Sequence, residues 1–67
     1  MQIENQFSEG DEVALAMNIG GLRKKVTAVV YAKNLDNRSR RWEYQLEIRG
    51  DLLGGGRWFR ESELDYA

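Results

Sequence analysis

The sequence contains no cysteine and no histidine. The first absence excludes disulfide stapling and a thiol nucleophile. The second removes the side chain that ordinarily exchanges protons near neutral pH. Together they remove the thiolate and imidazole donors of most structural zinc sites, so neither a metal nor a cofactor is expected. Proline is absent as well, so strand breaks fall to Gly, Asn and Asp. Long apolar runs are also missing. No stretch approaches a membrane span, and Met1 to Gln6 lacks the basic-then-apolar shape of a secretion signal. The expectation is a cytoplasmic protein with no membrane association.

A chain of 67 residues has room for one domain, 1–67, with 1–6 as a loose extension. So small a domain buries a modest share of its surface and needs support from an aromatic-rich core or from self-association. Two Trp, three Tyr and two Phe supply the material for such a core. The net charge of −1 conceals a segregation. Residues 1–12 and 61–67 carry only acids, whereas 18–60 hold all ten bases and four acids. In a compact fold the acidic ends can lie beside the basic middle and neutralise it.

Strand periodicity is clearest at Arg41 to Ile48. Trp42, Tyr44, Leu46 and Ile48 alternate with Arg41, Glu43, Gln45 and Glu47, as in a strand with one buried and one wet face. Glu12 to Met17 alternates too. Lys25 to Lys33 is rich in β-branched residues, and the adjacent Val29 and Val30 suggest a bulge or a strand covered on both faces. Arg57 to Arg60 reads as a short strand, Glu61 to Leu64 as one helical turn, and Asp65 to Ala67 as a last short strand. Five short strands in so short a chain predict an all-β fold rolled into a small barrel, because an open sheet would expose an apolar face and two edges. The predicted core is Val13, Leu15, Val26, Val29, Trp42, Tyr44, Leu46, Ile48, Phe59 and Leu64.

Several stretches resemble bacterial SH3-like (Src-homology-3-like) small barrels. Phe7-Ser8-Glu9-Gly10-Asp11-Glu12-Val13 is similar to their opening, where a Gly-Asp turn leads into the first strand. Lys25 to Val29 and Trp42 to Leu46 resemble the second and third strands. Arg57 to Leu64 resembles the closing strand and helical turn. Covering roughly residues 7–66, the resemblance implies a five-stranded barrel with a short helical turn before the last strand. Such barrels serve in peptide binding, nucleic-acid binding and enzyme assembly, so the resemblance implies no single function.

Catalytic parts are few. Glu61 and Glu63 could form a carboxylate pair, but on a wet turn they read as solvated charge. The stretch from Gly50 to Gly56 lacks the Gly-Lys-Ser/Thr ending of a phosphate cradle and reads as a hairpin loop. Leu52 and Leu53, adjacent in that loop, either cap the barrel end or form an exposed contact. Trp42 and Trp58 read either as core or as surface rings. With Leu52, Leu53, Trp58 and Tyr31 as candidate contact residues, the expected function is a non-catalytic protein-interaction or assembly module, whose partner is a protein or a second copy of the chain. The alternative is a nucleic-acid-binding barrel that uses Arg38, Arg40, Arg41, Arg57 and Arg60 around the two Trp rings. An enzyme with a site between subunits stands a distant third. A sequence pI near 5.3 ranks the protein partner above nucleic acid.

Overall fold

The computed structural model describes residues 7–67. The expected loose extension at 1–6 lies outside the described residues. The described residues form strands, turns and short 3₁₀ helices joined by brief irregular segments, with no α-helix among them. The strands are β1 (Glu12–Ile19), β2 (Leu22–Asp36), β3 (Arg41–Ile48), β4 (Asp51–Leu52), β5 (Phe59–Arg60) and β6 (Asp65–Tyr66). One 3₁₀ turn covers Leu53–Gly55, and a second, Glu61–Glu63, stands where the helical turn was expected.

These strands form one antiparallel sheet in the order β4-β3-β2-β1-β6, with β5 also paired to β3. Two expectations need correction. The sheet has six strands rather than five, because Gly50 to Gly56 is no plain loop but contains β4 and a 3₁₀ turn. The sheet is also open: its path ends on β4 at one side and β6 at the other, without closing into a barrel.

The fold is organised by β2, a strand of 15 residues. Its first half pairs with β1, from Ile19↔Leu22 to Glu12↔Val29, and its second half with β3, from Val29↔Glu47 to Asp36↔Arg41. The register shifts between Val30 and Ala32, which leaves Tyr31 as a bulge. A bulge of this kind bends and twists its strand, and β2 thereby serves both neighbours. The bulge also explains a core residue misjudged from sequence. Val29 pairs with Glu12 and Glu47 on the outward face, while Val30 pairs inward with Leu46 and is buried. The β1–β2 hairpin closes through Gly20 and Gly21, both at positive φ, as a two-residue type I′ turn demands.

Phe7, Val13, Leu15, Ala28, Val30, Tyr44, Leu46, Phe59 and Leu64 make one core cluster. Val26, Trp42 and Ile48, expected inside it, are only partly buried at its margin. Phe7 was not expected there. It is held by its ring, edge-on to Tyr44 at 5.5 Å, and by its backbone N–H, which donates to the Tyr44 hydroxyl at 3.5 Å. Behind it the Gly10–Asp11 turn is stitched to β2: Gly10 N–H donates to the Val30 carbonyl, and Val30 N–H to that of Asp11.

Candidate interaction surface

Alternation along β3 sends Tyr44 and Leu46 into the core and Glu43, Gln45 and Glu47 to the opposite face. Three strands border that outward face. β2 contributes Asn34 opposite Glu43, Ala32 opposite Gln45 and Val29 opposite Glu47. β4 places Leu52 opposite Glu47, and β5 places Arg60 opposite Glu43. Trp58 precedes Phe59, which is buried opposite Tyr44, so alternation carries Trp58 outward at the level of Gln45.

Gln45 anchors the middle of this face. Its side-chain amide donates to the Gly56 carbonyl at 2.8 Å, which ties the loop after β4 to the centre of β3. Space at Gly56 is limited: a Cβ there would stand 3.4 Å from the Gln45 amide and 3.7 Å from a Leu52 methyl. Leu52, Gly56 and Gln45 are therefore neighbours. Across β3, Tyr31 sits in the bulge next to Ala32 and is 52% exposed, while Trp58 is 39% exposed.

Two of the four residues expected to contact a partner, Leu52 and Trp58, thus border one face, and Tyr31 is exposed in the bulge of the neighbouring strand. Leu53 does not join them. It packs against the core, so the adjacent leucines divide the two roles left open by the sequence, Leu53 capping and Leu52 exposed.

The five arginines of the alternative surface are dispersed. Arg38, Arg40 and Arg41 are exposed at the β2–β3 turn. Asp36 builds that turn: its carboxylate accepts from Arg38 N–H at 3.1 Å and from the Ser39 hydroxyl at 3.0 Å, and its carbonyl accepts from Arg40 N–H at 2.8 Å. Arg57 lies in the closing segment, with its guanidinium 4.8 Å from the Phe59 ring and 3.5 Å from Glu63. Arg60 stands opposite Glu43, two residues along β3 from Arg41 and on the same outward face. Trp42 offers no free stacking ring beside these bases. It packs partly buried against the core, with the Lys33 ammonium 5.7 Å from its ring centroid. Its indole N–H is buried with no acceptor among the described residues, an arrangement that costs about 1–3 kcal/mol.

Glu63 is exposed, as expected of a charge on a wet turn, whereas Glu61 is half-buried. The buried Tyr44 hydroxyl donates to Glu61 at 2.5 Å. Glu63 accepts from the Arg60 N–H at 2.9 Å and caps its own 3₁₀ turn. Both carboxylates hold the closing segment in place. No cluster of His, Cys, Asp and Glu suited to a metal ion occurs among the described residues, and no helix there is long and apolar enough to cross a membrane.

One feature escaped sequence reasoning altogether. A groove of about 740 Å³ runs beside β1, with Leu15, Met17, Arg23 and Lys25 on the hairpin side and Phe59, Glu63 and Asp65 on the closing side. Its only trace in sequence is the split between a basic middle and an acidic end. In comparisons with family models, curated proteins and solved structures, nothing matches this chain.

Proposed function

We propose that the chain is a non-catalytic protein-interaction module of the Src-homology-3-like kind, which docks a protein partner on the outward face of β3. The observation that carries the reading is the shared placement of Leu52 and Trp58 around Gln45. Exposed apolar side chains gathered on a rigid sheet, around a group able to hydrogen-bond, are the ingredients of a docking patch. Trp is also among the residues most enriched at energetic centres of interfaces. The bent β2, the Gly10–Asp11 turn and the 3₁₀ turn before β6 favour the small-barrel kinship.

Nucleic acid fits the surface less well. Phosphate binding draws its strength from clustered bases that release counterions. Here Asp36 lies inside the basic turn, and Glu43 stands opposite Arg60 and next along the same face from Arg41. A titration with labelled single-stranded DNA and RNA at low salt and at about 0.15 M decides between the readings. The expected result is no binding that survives the higher salt. Tight binding at that salt, abolished in a folded Arg38→Ala, Arg40→Ala, Arg41→Ala variant, would move the function to the turn.

A further inference from the structure

We propose that two copies of this chain associate through the free edges of β1, pairing antiparallel about a two-fold axis at Met17. β1 has eight residues but meets β6 only at Val13 and Ala14. From Leu15 to Ile19 its outer edge has no strand beside it among the described residues. The direction of its backbone groups follows from the hairpin. Ile19 and Leu22 flank a two-residue turn and bond to each other, so Met17 also bonds toward β2. Ala16 and Asn18 then turn their N–H and C=O groups outward, in step with Ala14, which meets β6. Such an edge is a template for another strand. The stretch Leu15-Ala16-Met17-Asn18-Ile19 carries none of the usual safeguards: no charge, no proline and no bulge.

The occupant is a second copy because the surroundings are self-complementary. Antiparallel pairing over Leu15–Ile19 sets Ala16 of each copy opposite Asn18 of the other, and Met17 opposite Met17. It places Leu15 beside the other copy's Ile19 on the inner face. That face is already apolar beyond the core, with Ile19 47% and Leu22 62% exposed at the hairpin tip. The charges agree. In one chain, Arg23 and Lys25 border the groove on the hairpin side, and Arg57, Glu63 and Asp65 border it on the closing side, where Arg57 pairs with Glu63 at 3.5 Å and Asp65 leaves that side net negative. The two-fold brings the basic hairpin of each copy against the acidic closing segment of the other. Two Gly at the tip let the turn approach that segment without side chains.

Sedimentation equilibrium on the full chain, from about 5 μM to about 1 mM, tests this together with hydrogen exchange at the same concentrations. The expected result is a species of twice the 7.8 kDa chain mass, with the Ala16 and Asn18 amides exchanging more slowly as concentration rises. Asn18→Pro removes an outward N–H and is a substitution that edge strands tolerate. Leu22→Lys alters only an exposed tip residue. Each should weaken association at least tenfold, and Leu22→Lys should leave cooperative unfolding intact even if Asn18→Pro does not. A chain monomeric at every concentration would overturn the proposal. So would a dimer indifferent to Leu22→Lys with Ala16 and Asn18 amides unprotected, which would point instead to Leu52.

Discussion

Tyr44→Phe probes the joint that holds the closing segment to the sheet. Tyr44 is fully buried, and its hydroxyl accepts from Phe7 N–H and donates to Glu61. The substitution deletes one oxygen and leaves the ring to pack as before, so a cavity term is negligible. What is lost is the hydrogen bond to a charged acceptor, worth about 1.5–3 kcal/mol, together with the long 3.5 Å contact from Phe7 N–H, a minor addition. Total stability for a domain of this length is only several kcal/mol, so the loss is a large fraction of it. The assay is urea unfolding followed by tryptophan fluorescence. With a slope near 1 kcal/mol/M for a small protein, the midpoint should fall by about 1.5–3 M at unchanged slope. A double cycle with Glu61→Gln should show coupling of about 1 kcal/mol or more, since the two groups touch. A Tyr44→Phe variant within about 0.5 kcal/mol of the parent would refute the reasoning, because that is the range of an ordinary surface change.

Three further outcomes follow from the same geometry. Leu53→Ala should destabilise by about 2 kcal/mol or more, whereas Leu52→Ser should stay within about 0.5 kcal/mol; equal effects in thermal unfolding would contradict the division of the pair. Gly21→Val should cost at least about 1 kcal/mol in the same measurement, since a β-branched side chain is strained at a φ of +82°. Far-ultraviolet circular dichroism should show almost no helix; a helical fraction near the roughly one-third globular average would contradict the sheet.

Much of this architecture was legible in the residues. Alternation at Arg41 to Ile48 located β3 to the residue and assigned Tyr44 and Leu46 to the core. Glu61 to Leu64 marked the closing turn. What escaped the sequence depends on tertiary pairing. The outward turn of Val29 follows from a bulge whose position only the register with β3 fixes. Phe7 reads as a turn residue until Tyr44 is seen beneath it. β4 has two residues, too few for periodicity to register, and they form a strand only because Glu47 and Ile48 lie opposite. The expected closure into a barrel rested on the need to hide strand edges, yet β1 keeps part of its edge open. Of the contact residues, Leu52 stood out as one of two adjacent leucines in a short loop, and Trp58 as an aromatic ring readable as core or surface. Their shared face emerged only with the pairing of β4 and β5 along one side of β3.

The measurement closest to the central claim is photo-crosslinking with a benzophenone side chain at position 58, compared with the same probe at position 38, in cells that express the chain. Docking on the outward face of β3 predicts a discrete protein adduct from position 58. Excess unlabelled parent protein should compete it away, and the Leu52→Ser variant should not. Adducts only from position 38 that nuclease removes, or a position 58 that captures nothing, would contradict the account.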